Sequence, residues 1–216
     1  MDKKQAHAAL KKARETSKKR NFSQTFELII NLKDIDFKKP EGQLDFFVTL
    51  HHGTGKNKKV CALVGAELET EAGKYCDKVI LQTDFGKYTK KAELKKIAKE
   101  YDYFIAQANI MAKVATAFGK VLGPKGKMPN PKAGCVVPPK ANLEPLIKGL
   151  KNMVRINTKV SPMIQVPLGK EDMDDERILD NLMTVYDQIV HHLPGEENNI
   201  KTAYVKLTMG TAIKVE

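Results

Sequence analysis

The sequence predicts two domains of mixed α and β structure: an antiparallel-sheet domain assembled from both chain ends, and an α/β layer domain inserted within it. Three observations carry this reading. Strand patterns with a single apolar face occur before residue 51 and return after about Arg155; strands and helices alternate in between; and the run HHGTGKNK, His51–Lys58, interrupts the first pattern with glycines and lysines and reads as a linker or hinge. A chain of 216 residues has room for two small domains. The expected bounds are 1–57 with 153–216 for the outer domain and 58–152 for the insertion.

Taken in order, residues 2–19 read as a helix whose narrow apolar stripe is Ala6, Ala9, Leu10 and Ala13, with basic side chains around the rest. Thr25–Leu32 alternates as a half-buried strand, Phe26, Leu28, Ile30 and Leu32 on one face and Thr25, Glu27 and Asn31 on the other. After a turn-rich stretch around Pro40 and Gly42, Leu44, Phe46, Val48 and Leu50 repeat the pattern, and this strand is expected to lie antiparallel beside the first. In the middle, KVCALVG, KVIL and YFIAQ read as strands separated by helices, which calls for a parallel sheet covered by helices. That region closes with a helix over Asn142–Met153. Then SPMIQVPLG, IKTAYVKLTMG and TAIKVE supply strands, and between the first two Ile178, Leu182, Val185, Tyr186 and Ile189 mark a helix with Asp174 and Asp175 at its positive end. The economical arrangement pairs the terminal strands in one antiparallel sheet backed by two helices.

Lys and Arg outnumber Asp and Glu by 37 to 26, a net charge of +11, which suits a polyanionic partner. The charge is placed: Lys3–Arg20 holds eight basic residues against Glu15, Lys120, Lys125, Lys127, Lys132 and Lys140 share an acid-free stretch, and Glu171–Asp187 is acidic. No apolar run of about 18 residues appears and the amino terminus has no apolar core, so neither a membrane nor secretion is expected and the cytoplasm is the expected compartment. Cys61, Cys76 and Cys135 lack zinc spacing and are expected as free thiols; the histidine pairs lack ligand partners; no metal, cofactor or catalytic residue is assigned.

The run GKVLGPKGKMPNPKAG, Gly119–Gly134, carries more glycine and proline than a passive connection needs. It is not a Walker loop, since Val121 stands where the first glycine belongs and Met128 where the hydroxyl belongs. Gly123-Pro124-Lys125-Gly126 matches the GxxG clamp of KH domains, and the run reads either as a direct RNA contact or as a shaped loop whose lysines assist only secondarily.

GPKGKMPNPKAG, together with FSQTFELIINL, SPMIQVPLGK and KLTMG in that order, resembles the universal large-subunit ribosomal protein L-one family, in its archaeal form, over nearly the whole chain. That family forms the mobile stalk beside the tRNA exit site. The resemblance implies a split β-α-β RNA-binding fold for the terminal segments and a Rossmann-like insertion without a nucleotide. It implies binding to the ribosomal RNA stalk, participation in release of deacylated tRNA, indirect or weak contact with that tRNA, and repression of the protein's own mRNA. A monomer is expected when free. The matching RNA-binding positions are Phe22, Thr25, Glu27, Ser161, Thr208, Met209 and Gly210. Thr25 and Glu27 share the strand face that the apolar set leaves open, Thr208 offers a hydroxyl, Met209 a soft apolar surface and Gly210 a close approach to the backbone. Phe22 reads either as a surface that packs on RNA or as a core residue. Gln165 stands where many members have His and is left out. Arg155 and Lys159 are candidate phosphate neutralisers on chemical grounds, with Lys125 and Lys127 as secondary contacts. Two rival readings are a free RNA-binding regulator, which shares the same surface, and a Rossmann-type enzyme, for which no GxGxxG or obvious nucleophile with its base is present.

Overall fold

The computed structural model describes residues 1–35, 42–88, 90–158 and 161–215. They fall into two compact units, Met1–Lys56 with Asn152–Glu216, and Asn57–Lys151. In the outer unit, helix α1 (Lys3–Thr16) is capped by Asp2, whose carboxylate accepts from the Lys4 amide. Strand β1 (Thr25–Leu32) lies at the centre of an antiparallel sheet, flanked by β8 (Met163–Lys170) and β9 (Ile200–Leu207), with the short β10 (Ile213–Lys214) beyond β9. Helices α1 and α6 (Asp175–His192) cover one face of that sheet. The side chains predicted to point inward, Ala6, Leu10, Phe26, Leu28, Ile30, Ile178, Leu182, Val185 and Ile189, meet in one buried core.

The second strand of the sequence is correctly assigned a buried face and wrongly assigned a partner. β2 (Asp45–Thr49) does not pair with β1; it pairs antiparallel with β7 (Met153–Asn157), Phe46 opposite Ile156 and Val48 opposite Val154, in a separate two-stranded sheet. Both edges of β1 are already taken by β8 and β9, so none remains for β2. Alternation specifies which face of a strand is buried, not which edge it joins. β7 has no separate signal in the sequence because its apolar residues continue the helical pattern of Leu150, and that helix, α5 (Glu144–Asn152), stops one residue earlier than expected.

Two polar clamps close the outer unit. Arg14 on α1 donates to Asp175 Oδ1 from Nε and Nη2 (3.1 and 2.6 Å), to the Glu171 carbonyl (2.5 Å) and to the Met173 carbonyl (3.1 Å), while its guanidinium lies 5.3 Å from the centre of the Phe26 ring. Part of the acidic segment therefore serves to hold the basic helix. Asn181, fully buried on α6, donates to the carbonyls of Gly53 (3.1 Å) and Leu168 (2.9 Å) and accepts from the His52 amide (3.2 Å). His51 and His52 both reach Asp180, at 2.8 and 3.2 Å. The start of the run His51–Lys58 is thus anchored to α6. Gly53 needs to be glycine: its φ is +58°, and a Cβ there would lie 2.7 Å from Asn152 Oδ1.

The inserted unit is a parallel sheet in the order β4 (Lys78–Leu81), β3 (Val60–Val64), β5 (Tyr103–Gln107), β6 (Val136–Val137), with helices α2 (Glu69–Tyr75), α3 (Lys91–Glu100), α4 (Met111–Leu122) and α5. Every residue of β3 is buried, as expected for a parallel strand covered on both faces. The two-residue β6 is too short to leave an alternation in the sequence.

Candidate RNA interface

The face of the outer sheet away from α1 and α6 is the one presented by Glu27, Ile29 and Asn31 of β1, all half-buried. The register places Pro167, Gln165 and Met163 of β8 and Lys206, Tyr204 and Thr202 of β9 opposite them. Glu27 Oε2 accepts from Gln165 Nε2 at 2.7 Å, and Asn31 Nδ2 donates to Thr202 Oγ1 at 3.0 Å. Gln165, not among the expected contacts, thus orients the Glu27 carboxylate, which is one of them.

Thr25 departs from expectation. It is 6% exposed and does not share the openness of Glu27. The register with β8 slips between Phe26 and Glu27, and Thr208 closes over the strand end. The Thr208 hydroxyl accepts from the Thr25 amide (3.1 Å) and donates to the Thr25 carbonyl (3.3 Å), while the Thr208 amide donates to that same carbonyl (3.1 Å). A side chain here extends the ladder that the backbone of β9 begins. The hydroxyl expected to face RNA is committed to the fold, although Thr208 itself is exposed.

Gln24, one residue before β1 and 1% exposed, organises the rest of this corner. Its Oε1 accepts from the Met209 amide (3.1 Å), its Nε2 donates to Ser17 Oγ (3.2 Å) and the Lys18 carbonyl (3.4 Å), and its own carbonyl accepts from the Glu171 amide (2.9 Å). Two segments meet on this amide side chain and a third on the backbone carbonyl of the same residue. A Cβ on Gly210 would lie 3.3 Å from Leu207 Cβ and 3.4 Å from Ser17 Oγ, so the turn is already tight against its own chain. From this corner project Met209, 59% exposed, and Phe22, 52% exposed, which resolves Phe22 as a surface side chain and not a core one. Lys18, Lys19 and Arg20, exposed, lead into it from α1. Sequence reasoning missed Gln24 and Ser17 because a polar residue off the end of a strand carries no periodic signal.

The other expected positions do not join this corner. Ser161 is exposed at the opposite end of β1, where the Leu32 amide donates to the Pro162 carbonyl, and at about 3.3 Å per residue the strand holds the two ends roughly 23 Å apart. Arg155 lies on β7 with its guanidinium on both oxygens of Asp45 (2.9 and 3.0 Å), so it already has a carboxylate partner. Lys159 is outside the described residues. In the inserted unit Lys127 donates to the Tyr101 carbonyl (2.6 Å) and lies 3.8 Å from Asp102, and Lys125 reaches the Lys95 carbonyl (3.4 Å). The glycine-proline run is shaped by Gly126 (φ +65°) and Gly134 (φ +70°) and by Asn130, which accepts from the amides of Lys132, Ala133 and Cys135.

In Rossmann-type domains the ligand crevice lies where the strand order reverses, here beyond the carboxyl ends of β3 and β5. Gln107 fills it. Its Oε1 accepts from the Gly65 amide (2.8 Å), its Nε2 donates to Glu67 (3.0 Å), and it is 1% exposed. The amide that would grip a phosphate is used, and a carboxylate stands beside it. Burial pushes the thiol of Cys61 up to about 12 and those of Cys76 and Cys135 up to about 11, which keeps them protonated and poor nucleophiles at neutral pH. Among the described residues no three His, Cys, Asp or Glu side chains gather to hold a metal, and no helix is long and apolar enough to cross a membrane.

An antiparallel sheet backed by two helices, with a basic helix leading to a polar corner and a parallel-sheet unit inserted, defines a two-unit protein with exposed sheet and turn surfaces. Residues 10–211 match the model of the ribosomal protein L1p/L10e family, and the chain belongs to that family. It is 43% identical over 217 residues to the large ribosomal subunit protein uL1 of Methanocaldococcus jannaschii, covering 100% of this chain and 97% of that protein. Similarity to the proteins of the same name from Nanoarchaeum equitans (45% over 210 residues, covering 95% and 97%) and Thermococcus kodakarensis (41% over 210 residues, covering 96% and 95%) is comparable.

Proposed function

We propose that this protein is a component of the large ribosomal subunit in the cytoplasm, and that its outer unit, residues 1–57 with 153–216, binds the stalk region of large-subunit ribosomal RNA. The observation that carries this reading is the corner at the amino end of β1, where Gln24 and Thr208 hold the backbone rigid beneath exposed Met209 and Phe22, next to Glu27 and an exposed run of basic residues. Lysines supply salt-dependent attraction to any phosphate chain, and a fixed set of carboxylate, backbone and apolar groups selects one RNA shape. Thr25 and Thr208 act by shaping the corner, Glu27, Phe22, Met209 and Gly210 by meeting RNA, and Ser161 by touching a separate part of it. Arg155, Lys125 and Lys127 contribute less, since each already has a partner. In this role the protein is structural and not catalytic, takes part in the release of deacylated tRNA from the exit site, and represses its own mRNA where that message mimics the ribosomal site.

The test is a titration of stalk RNA and of an unrelated hairpin of equal length, with the parent and with Met209→Asp. Affinity for both RNAs should fall with salt, each phosphate contact contributing about −0.7 to −0.9 to the log-log slope. Met209→Asp should remove most of the preference for stalk RNA. Equal preference in parent and variant would displace the site from this corner.

A further inference from the structure

The inserted unit carries a hollow of about 400 Å³ that the RNA reading does not use, lined by residues of α3, α4 and the turn Gln82–Lys87 with Tyr88. Its floor is Phe85, Leu94, Ala117 and Val121, and its rim is Tyr88, Lys91, Thr116 and Lys120. Phe85, Leu94 and Val121 belong to the unit's own core, so the floor is held rigidly. Among the described residues neither Lys91 nor Lys120 lies within ion-pair distance of a carboxylate, and residues 103–143, which include α4, contain six lysines and no Asp or Glu.

We propose that this hollow docks a partner protein through an acidic peptide segment that inserts an apolar side chain between its carboxylates. The choice of peptide over nucleic acid follows from the floor. Phe85, Leu94, Ala117 and Val121 offer carbon only, and the Thr116 hydroxyl, exposed at the rim, already gives its proton to the Ala112 carbonyl at 3.0 Å. A nucleobase inserted edge-first into the hollow would bury donors and acceptors without partners, whereas a Leu or Phe side chain loses nothing polar. The lysines stand at the rim, where carboxylates flanking the inserted side chain would remain partly hydrated and steer the encounter. An apolar seat with a charged border is the arrangement by which grooves between helices take up amphipathic segments.

The experiment uses the full chain, isotope-labelled on methyl groups, and a synthetic peptide with Leu and Phe one helical turn apart between glutamates. Controls are the same peptide with Ser at both apolar positions and a single-stranded oligouridylate. Binding should shift the methyl resonances of Leu94, Ala117 and Val121. Replacing Leu and Phe by Ser, or introducing Lys120→Glu at the exposed rim, should each weaken it at least tenfold. The proposal is overturned if the Ser peptide binds as well as the Leu/Phe peptide, if the shifts fall elsewhere on the unit, or if oligouridylate occupies the same methyl groups and the peptide does not. Lys120→Glu leaves the core untouched, and methyl mapping of the parent gives the answer even if that variant folds poorly.

Discussion

Replacing Thr208 by Val tests the idea that the hydroxyl serves the fold before it serves a ligand. The substitution keeps the branched shape and removes the oxygen that accepts from the Thr25 amide at 3.1 Å. The Thr25 carbonyl retains the Thr208 amide, so it is still satisfied. The Thr25 amide is not, and Thr25 is only 6% exposed. One buried donor without an acceptor costs about 1–3 kcal/mol. Native-state hydrogen exchange at the Thr25 amide should therefore quicken by roughly tenfold for each 1.4 kcal/mol, and the urea midpoint of the outer unit should drop with little change in slope. Thr208→Ser, which keeps the hydroxyl, should stay close to the parent. Affinity for stalk RNA should fall in the Val variant and not in the Ser variant. If Val exchanged at Thr25 as slowly as Ser yet lost RNA affinity, the hydroxyl would be a direct contact and the structural account would be wrong.

Asn181→Leu removes a buried side chain that satisfies the Gly53 and Leu168 carbonyls and the His52 amide, and it should destabilise the outer unit by about 3 kcal/mol or more, with fast exchange at His52 as its local sign; exchange at His52 unchanged from the parent would mean that Asn181 does not anchor the linker. The buried thiols give a pH prediction. Their pKa values are raised in the fold to about 11 or 12 from an ordinary 9.0, so above about pH 9 the folded chain holds protons that the unfolded chain has released. Their contribution to stability is complete below pH 9 and declines as pH rises toward 12. At pH 8 the native protein should alkylate slowly at Cys61 and Cys135 and fully in denaturant, and rapid native labelling at Cys61 would contradict its burial.

The sequence by itself determined the inward sets of its regular elements. Phe26, Leu28 and Ile30, and Ile178, Leu182 and Val185, are buried as their spacing requires, because a period of two or of three and four has only one face to offer a core. It also carried the family, through a long motif and its flanks. It did not determine which strands are neighbours. Edge pairing is settled by what else reaches each edge, and β2 found β7 because β8 and β9 had claimed β1. Side-chain partners between distant segments were equally invisible. Gln24 holding Met209, Thr208 closing on Thr25, Asn181 fastening Gly53 and Arg155 gripping Asp45 join residues up to 185 positions apart, and a polar group's partner depends on distance and direction in space, on which local periodicity is silent. Residue types announced that this chain has hydroxyls and charges to spend; only the tertiary structure decided which are spent on the fold itself and which still face outward.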